Sequence, residues 1–332
     1  MIGVGIIGAG DFGAMHARAM RSVPGVRLAA ACRSDEAALM RFKAEHGGTA
    51  YTDWRRLLDD KHVDAVLIAT PHHLHEECAI AAAQAGRHIM LEKPMAPTTA
   101  ACDAINAAAD ASGVKLMIAH LIHFSKPCMA AKRILDSGAL GRPLVASSWM
   151  IKLWMEHNRR DWHLNYGTGG GMLMTAGIHA LDRLVWLMDD KVTSVGAMLG
   201  PKFHDQEADD TSLISLRFAG GGMGQVQSVG FCDGAVSFAM NLVCEGGAIS
   251  IDMDRGAFIG EGMNWTEVED SFEPDWMLKA VTREWEHLRD TIQNETRPAV
   301  PGDYGRHIIA VIEAAYRSDG SRREEPIDFT GE

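Results

Sequence analysis

Apolar residues follow two different rhythms along this chain. Over residues 1–120, short and continuously apolar runs such as Val66-Leu67-Ile68 alternate with longer alanine-rich stretches of helical period. The runs predict strands at Gly3–Ile7, Arg27–Ala31, Ala65–Ala69, His88–Leu91 and Lys115–Ala119. Helices are expected between them, near Phe12–Ser22, Asp35–His46, Leu74–Ala85 and Thr98–Ser112. A strand that is apolar on both sides belongs in a parallel sheet covered on both faces. Strict alternation of strand and helix then gives a doubly wound α/β domain, placed at residues 1–121.

Beyond residue 122 the rhythm changes. One helix, Ser125–Leu135, is followed by strand-like runs at Leu144–Ile151, Thr193–Leu199, Ser212–Phe218, Gly224–Gly230, Val236–Val243 and Ala248–Met253. Gly220-Gly221-Gly222 and Glu245-Gly246-Gly247 read as hairpin turns. Strands in succession joined by short turns predict a mostly antiparallel sheet with helices on one face. Two helices, Trp276–Asn294 and Gly305–Ser318, close this α+β domain, residues 122–332.

The first strand runs into Gly8-Ala9-Gly10-Asp11-Phe12-Gly13 and then a helix. In that context the glycines allow backbone to approach a pyrophosphate, which meets the amide groups and positive dipole of the helix N-terminus. The second strand ends Ala31-Cys32-Arg33-Ser34-Asp35. An acid about 20 positions beyond the glycines would bond the ribose 2′-hydroxyl of NAD. Cys32 stands there instead, while Arg33 and Ser34 suit the 2′-phosphate of NADP; Asp35 reads as a helix N-cap. NADP is therefore expected in preference to NAD.

Two further turns lie where ligands bind, beyond the carboxyl ends of the strands. One is Thr70-Pro71-His72-His73-Leu74-His75, of which Thr70, Pro71, His72 and His75 are expected to line the nicotinamide ribose. Its histidines cannot converge in a regular helix and no partner pattern completes a metal site, so no metal is expected. The other is Glu92-Lys93-Pro94. Proline stiffens the turn and permits a cis bond, so Lys93 projects into the cleft, where a cationic nicotinamide would raise its acidity toward the range useful for proton exchange. In the second half, Gly169-Gly170-Gly171 precedes a helix whose Thr175, His179 and Asp182 fall at i, i+4 and i+7, on one face.

Composition narrows the partners. The 332-residue chain carries 44 acidic and 32 basic residues, a net charge of −12 that disfavours nucleic acid and membrane surfaces and leaves a small-molecule partner. No apolar stretch approaches the roughly 20 residues of a bilayer span, and the short, glycine-rich start reads as strand and turn, not a signal peptide. Six scattered cysteines without a C-x-x-C pair point to a reducing, cytoplasmic setting.

Taken together, the amino-terminal glycine motif, Thr70-Pro71 with His75, Glu92-Lys93-Pro94, the Gly138-x-Leu140-Gly141 turn and Gly169-Gly170-Gly171 through Gly177-x-His179-x-x-Asp182 resemble the glucose–fructose oxidoreductase/inositol dehydrogenase (Gfo/Idh/MocA) family over nearly the whole chain. The resemblance implies a Rossmann domain, then an α/β domain with a large open sheet used for homo-oligomerisation as a dimer or tetramer. It also implies an NAD(P)-dependent oxidoreductase of sugars, sugar derivatives or cyclitols, with Lys93 and His179 handling the hydroxyl proton. Thr175 stands where the family commonly has an aspartate, His72 replaces an asparagine, and His123-Phe124 replaces an Arg-Phe pair. Trp162-His163 resembles a Trp-Arg pair of the family's active site, so His123, Trp162, His163, Thr175 and His179 are expected to line the substrate. Alternatives within the same fold are an NAD-dependent glycosidase with transient oxidation and a dinucleotide-binding sensor without turnover.

Overall fold

The structure, a computed structural model, describes residues 1–327 and falls into two compact units. The first comprises Met1–Leu121 and also Met277–His307; the second comprises Ile122–Trp276 and the chain from Ile308 on.

In the first unit, six parallel strands β1 (Ile2–Ile7), β2 (Val26–Cys32), β3 (Thr49–Tyr51), β4 (Ala65–Ile68), β5 (His88–Glu92) and β6 (Leu116–Ala119) lie in the order β3-β2-β1-β4-β5-β6. They are connected through α1 (Asp11–Met20), α2 (Glu36–His46), α3 (Trp54–Leu58), α4 (His75–Gln84) and α5 (Thr99–Ser112). This is the doubly wound order, and its direction reverses between β1 and β4, where such sheets bind ligands beyond their carboxyl ends. Every residue of β1 and β4 is buried, which is why these strands carry no polar alternation. As expected, Asp35 caps α2, accepting from the Ala38 amide at 2.9 Å. The strand β3 and helix α3 were not expected from the sequence; with three and five residues they are too short to show a period.

The second unit opens with α6 (Lys126–Asp136) and β7 (Pro143–Leu153), followed by α7 (Ile178–Met188). After these come β8 (Val192–Gly200), β9 (Thr211–Phe218), β10 (Met223–Phe231), β11 (Ser237–Cys244), β12 (Gly247–Asp252), β13 (Gly256–Glu261) and β14 (Asn264–Glu267). Along the chain come next α8 (Trp276–Gln293), which from Met277 on belongs to the first unit, α9 (Gly302–Ser321), which belongs to the second unit from Ile308 on, and then the short β15 (Glu325–Pro326). The nine strands form one sheet in the order β14-β13-β12-β11-β7-β10-β9-β8-β15. All its pairings are antiparallel except β10 with β7, which run parallel. Both glycine turns close hairpins, β9–β10 and β11–β12. Strand β9 alternates buried and exposed residues along most of its length, so one face of the sheet meets α7 and the other carries exposed Val145, Met198, Leu213, Met223 and Val243. Among the described residues no helix is long and apolar enough to cross a membrane.

Candidate active site

The glycine turn takes the form that its sequence demands. Gly8 directly follows β1 with φ of +102°, and a Cβ there would lie 2.4 Å from the carbonyl oxygen of Ala69, which follows β4, so only glycine lets the ends of these two strands approach so closely. Gly13 is pressed against the Gly8 carbonyl, whereas a Cβ on Gly10 would meet nothing within 4 Å. Gly10 therefore borders open space at the N-terminus of α1, a shape and polarity that fit a dinucleotide pyrophosphate. Asp11 is exposed beside it, and the half-buried Phe12 turns its ring toward Lys93, with Nζ 5.7 Å from the centroid.

Lys93 is buried, at 7% exposure, and its peptide bond to Pro94 is cis. Directly before it, the buried Glu92 carboxylate accepts from Nε2 of His16 at 2.9 Å and from the Lys93 amide at 3.2 Å. His16 Nδ1 in turn accepts from the indole N–H of Trp285 at 3.0 Å. An indole can only donate, so Nδ1 is bare, the ring proton sits on Nε2, and His16 donates to Glu92. Burial works to raise the Glu92 pKa. The His16 hydrogen bond and the neighbouring Lys93 outweigh it and hold the carboxyl below its ordinary range. The turn thus presents a lysine backed by an ionised, fully braced acid. Sequence reading missed His16 and Trp285, since 269 positions separate them and neither belongs to a motif.

The remaining first-unit candidates surround this turn. Buried His75 has Nδ1 2.9 Å from the Pro94 carbonyl and Nε2 3.0 Å from the Thr70 carbonyl. Burial keeps its pKa below the ordinary histidine range despite both carbonyls, so the neutral ring packs between the end of β4 and the Lys93-Pro94 turn and donates its single N–H to one of the two carbonyls. Thr70 and Pro71 are half-buried, and His72 is buried with its ring 5.7 Å from that of His75. At the end of β2, buried Cys32 has its thiol pushed up to about 11, by burial and then by the Asp53 charge. Arg33 Nη1 donates to the Ala9 carbonyl of the glycine turn at 3.1 Å, and Ser34 is exposed beside it. Among the described residues no group of three or more His, Cys, Asp or Glu side chains is arranged to hold a metal ion.

In the second unit, the glycine run leads into a π-helical turn, Leu173–Gly177, that continues as α7. The wider turn interrupts the regular spacing from which a shared face for Thr175, His179 and Asp182 was expected. Of residues 171–180 only Thr175 and His179 are partly exposed, so these two form the open side of an otherwise buried segment. Asp182 points elsewhere: fully buried, it accepts from His123 Nε2 at 2.9 Å, and the His123 ring stacks on Trp186 at 4.1 Å. The rings of half-buried Trp162 and buried His163 stack at 3.6 Å, and His163 Nδ1 receives the Arg160 amide at 3.0 Å. Gly171 has φ of +100° and a Cβ there would lie 2.4 Å from Asp209 Oδ1. Asp209 Oδ2 accepts the Leu173 amide at 2.8 Å, capping the turn that carries Thr175. Its carboxyl is pushed up to about 7, chiefly by burial. Asp209 went unnoticed in the sequence because its role is a contact across 36 positions.

The chain matches two family models. Residues 2–120 match one described as an oxidoreductase family with an NAD-binding Rossmann fold, and residues 128–250 match the GFO/IDH/MocA C-terminal domain. It is 31% identical to an inositol 2-dehydrogenase of Streptomyces avermitilis, over 97% of this chain and 94% of that one. Similarity to a 1-carboxy-3-chloro-3,4-dihydroxycyclohexa-1,5-diene dehydrogenase of Comamonas testosteroni reaches 35% identity, over 53% of this chain but only 44% of that protein. Among solved structures, an aldose–aldose oxidoreductase of Caulobacter crescentus superposes with a TM-score of 0.86 at 27% identity, covering 98% of this chain and 99% of the other. With the glycine turn, the Glu92-Lys93-Pro94 turn and the six-stranded order already in place, these matches make the chain a member of the Gfo/Idh/MocA family, an NAD-binding oxidoreductase.

Proposed function

We propose that the chain is an NADP-preferring dehydrogenase or reductase that exchanges a hydride with a hydroxyl-bearing carbon of a sugar, sugar derivative or cyclitol. The observation that carries this reading is Lys93, a buried lysine whose backbone amide is held by the ionised Glu92 and whose Nζ lies 5.7 Å from the ring of Phe12 in the glycine turn. When bound, the nicotinamide supplies the acceptor or donor of the hydride. Gly8, Gly10, Gly13 and the start of α1 hold the pyrophosphate, while Thr70, Pro71 and His72 flank the nicotinamide ribose. Arg33, aligned by the Ala9 carbonyl, and Ser34 receive the 2′-phosphate, because neither buried Cys32 nor the helix-capping Asp35 is available to a ribose hydroxyl.

At the substrate, Lys93 and His179 share the proton of the reacting hydroxyl, one removing it and the other donating a hydrogen bond to the oxygen. Thr175, which lacks a carboxylate, orients without adding charge, so it cannot stabilise an imidazolium at His179 as an aspartate would. His123, Trp162 and His163 line the sugar or cyclitol ring. The substrate class takes support from the relatives, named for inositol and for a dihydroxycyclohexadiene. The reading extends to a cytoplasmic homo-oligomer, dimer or tetramer, joined through the exposed apolar face of the nine-stranded sheet. It is supported by that face and by five buried cysteines without disulfides.

The test is a panel of aldoses, polyols, cyclitols, their keto forms and glycosides, followed at the nicotinamide absorbance with NADP and NAD. Reduction of NADP by a polyol, aldose or cyclitol, or its reverse with a keto form, is expected. Sugar release from glycosides without accumulated reduced cofactor would refute the dehydrogenase reading.

A further inference from the structure

The loop between β8 and β9 and the end of β10 bring together three side chains that the proposed reaction does not use. Cys232 follows β10 directly and is exposed, whereas Cys32, Cys78, Cys102, Cys128 and Cys244 are all buried. Its Sγ lies 3.5 Å from Nε2 of His204 and 3.4 Å from the Phe203 carbonyl oxygen. The other ring nitrogen of His204, Nδ1, lies 3.1 Å from Oδ2 of Asp210.

Asp210 is unusually well satisfied. Its carboxylate accepts the amides of Lys202 at 2.8 Å, Phe203 at 2.9 Å and His204 at 2.9 Å, together with the Thr211 hydroxyl at 2.9 Å. Burial works to raise its pKa, but these donors outweigh burial and hold the carboxyl below its usual range. An ionised carboxylate only accepts, so the His204 proton must sit on Nδ1, and Nε2 turns a lone pair toward the thiol. The loop is fixed as well, since Gln206 accepts from the Trp154 indole at 2.8 Å and donates to the Ala208 carbonyl at 2.9 Å.

We propose that Cys232, His204 and Asp210 form a thiol-exchange site, distinct from the redox chemistry above, at which Cys232 is modified by small disulfides. Nucleophile, base and orienting acid stand in the order that such activation requires. His204 Nε2 takes the Sγ proton, and the thiolate forms a bond to one sulfur of the incoming disulfide. The original S–S bond breaks and its second sulfur leaves as a thiolate that recovers the proton. Cys232 is oxidised to a mixed disulfide, the departing half is reduced, and no further oxidant is needed. The Phe203 carbonyl favours the protonated thiol and opposes this step, so the site depends on His204.

The native full-length protein is treated with 5,5′-dithiobis(2-nitrobenzoate) at pH 7, with peptide mass mapping to locate the adduct. A free thiol of pKa about 8.5 is only about 3% ionised at pH 7. Base assistance is therefore expected to make Cys232 react about 10-fold faster than N-acetylcysteine, even after the loss of intrinsic nucleophilicity. His204→Gln, checked for an unchanged melting curve, should lower the rate by a similar factor, and Cys232→Ser should remove the fast phase. The proposal is overturned if wild-type Cys232 reacts no faster than N-acetylcysteine, if the fast adduct maps to another cysteine, or if a folded His204→Gln keeps the wild-type rate. Should His204→Gln not fold, the comparison with N-acetylcysteine decides alone.

Discussion

Replacing His16 by alanine tests the bracing beneath Lys93. The change removes the donor to buried Glu92 at 2.9 Å and leaves the Trp285 indole without its acceptor at 3.0 Å. A hydrogen bond to a charged group contributes about 1.5–3 kcal/mol, and a buried orphan donor costs about 1–3 kcal/mol. A loss of about 3–4 kcal/mol is expected, because water entering the vacated space recovers part of the sum. For a folding unit of this size that corresponds to a fall in Tm of roughly 6–15 °C. His16→Gln retains both a donor and an acceptor and should lose less than half as much. Glu92 has a lowered pKa in the fold, so its contribution is complete above the unfolded value of about 4.3 and is lost as pH falls through the folded value. The gap between wild type and His16→Ala should therefore narrow in acid. Calorimetric melts between pH 3.5 and 7 measure all of this. A His16→Ala protein melting within about 2 °C of wild type at pH 7, or a glutamine variant as damaged as the alanine one, would refute the reasoning.

Other outcomes follow from the same site. Lys93→Ala should abolish turnover while leaving dinucleotide affinity nearly intact by calorimetry, and His179→Ala should slow turnover about 100-fold or more in steady-state kinetics. Arg33→Ala should weaken NADP binding by about 10- to 100-fold, the value of one or two charge-assisted hydrogen bonds, and leave NAD binding within a few-fold; equal losses would remove Arg33 from cofactor choice. Asp209, raised to about 7 in the fold, stabilises the protein least when ionised. Wild type should lose stability relative to Asp209→Asn as pH climbs from the unfolded value near 3.9 through about 7. Melts showing the same difference at pH 5 and pH 8 would contradict this.

How much could be read from the sequence depended on whether the signal was local. Strands covered on both faces are continuous apolar runs, so β1, β2, β4, β5 and β6 fall within two residues of their expected ends. The glycine turn carried its own chemistry, and Gly8 needs its positive φ for a contact with the strand beside it. The strands β13 and β14 escaped notice for a local reason too: Gly256–Glu261 lacks clean alternation and Asn264–Glu267 is exposed throughout. Contacts over long separations left no trace. Trp285, His16 and Glu92 become one chain of hydrogen bonds only once α8 packs in the first unit, and Asp209 becomes a helix cap only when β9 is laid in the sheet. The π-turn was equally hidden, because spacing was read on a regular α-helical period. Gly177, where a Cβ would lie 2.4 Å from the Ser228 hydroxyl, shows how tightly that turn presses on β10.

The most direct test of the proposed chemistry is a crystal structure of the chain soaked with NADPH. The account predicts a dinucleotide with its pyrophosphate on Gly8–Gly13, its 2′-phosphate on Arg33, and its nicotinamide ring close enough to Lys93 for the ammonium to reach a substrate oxygen placed over that ring. A ring bound far from Lys93 Nζ, or a dinucleotide lying away from the glycine turn, would contradict it.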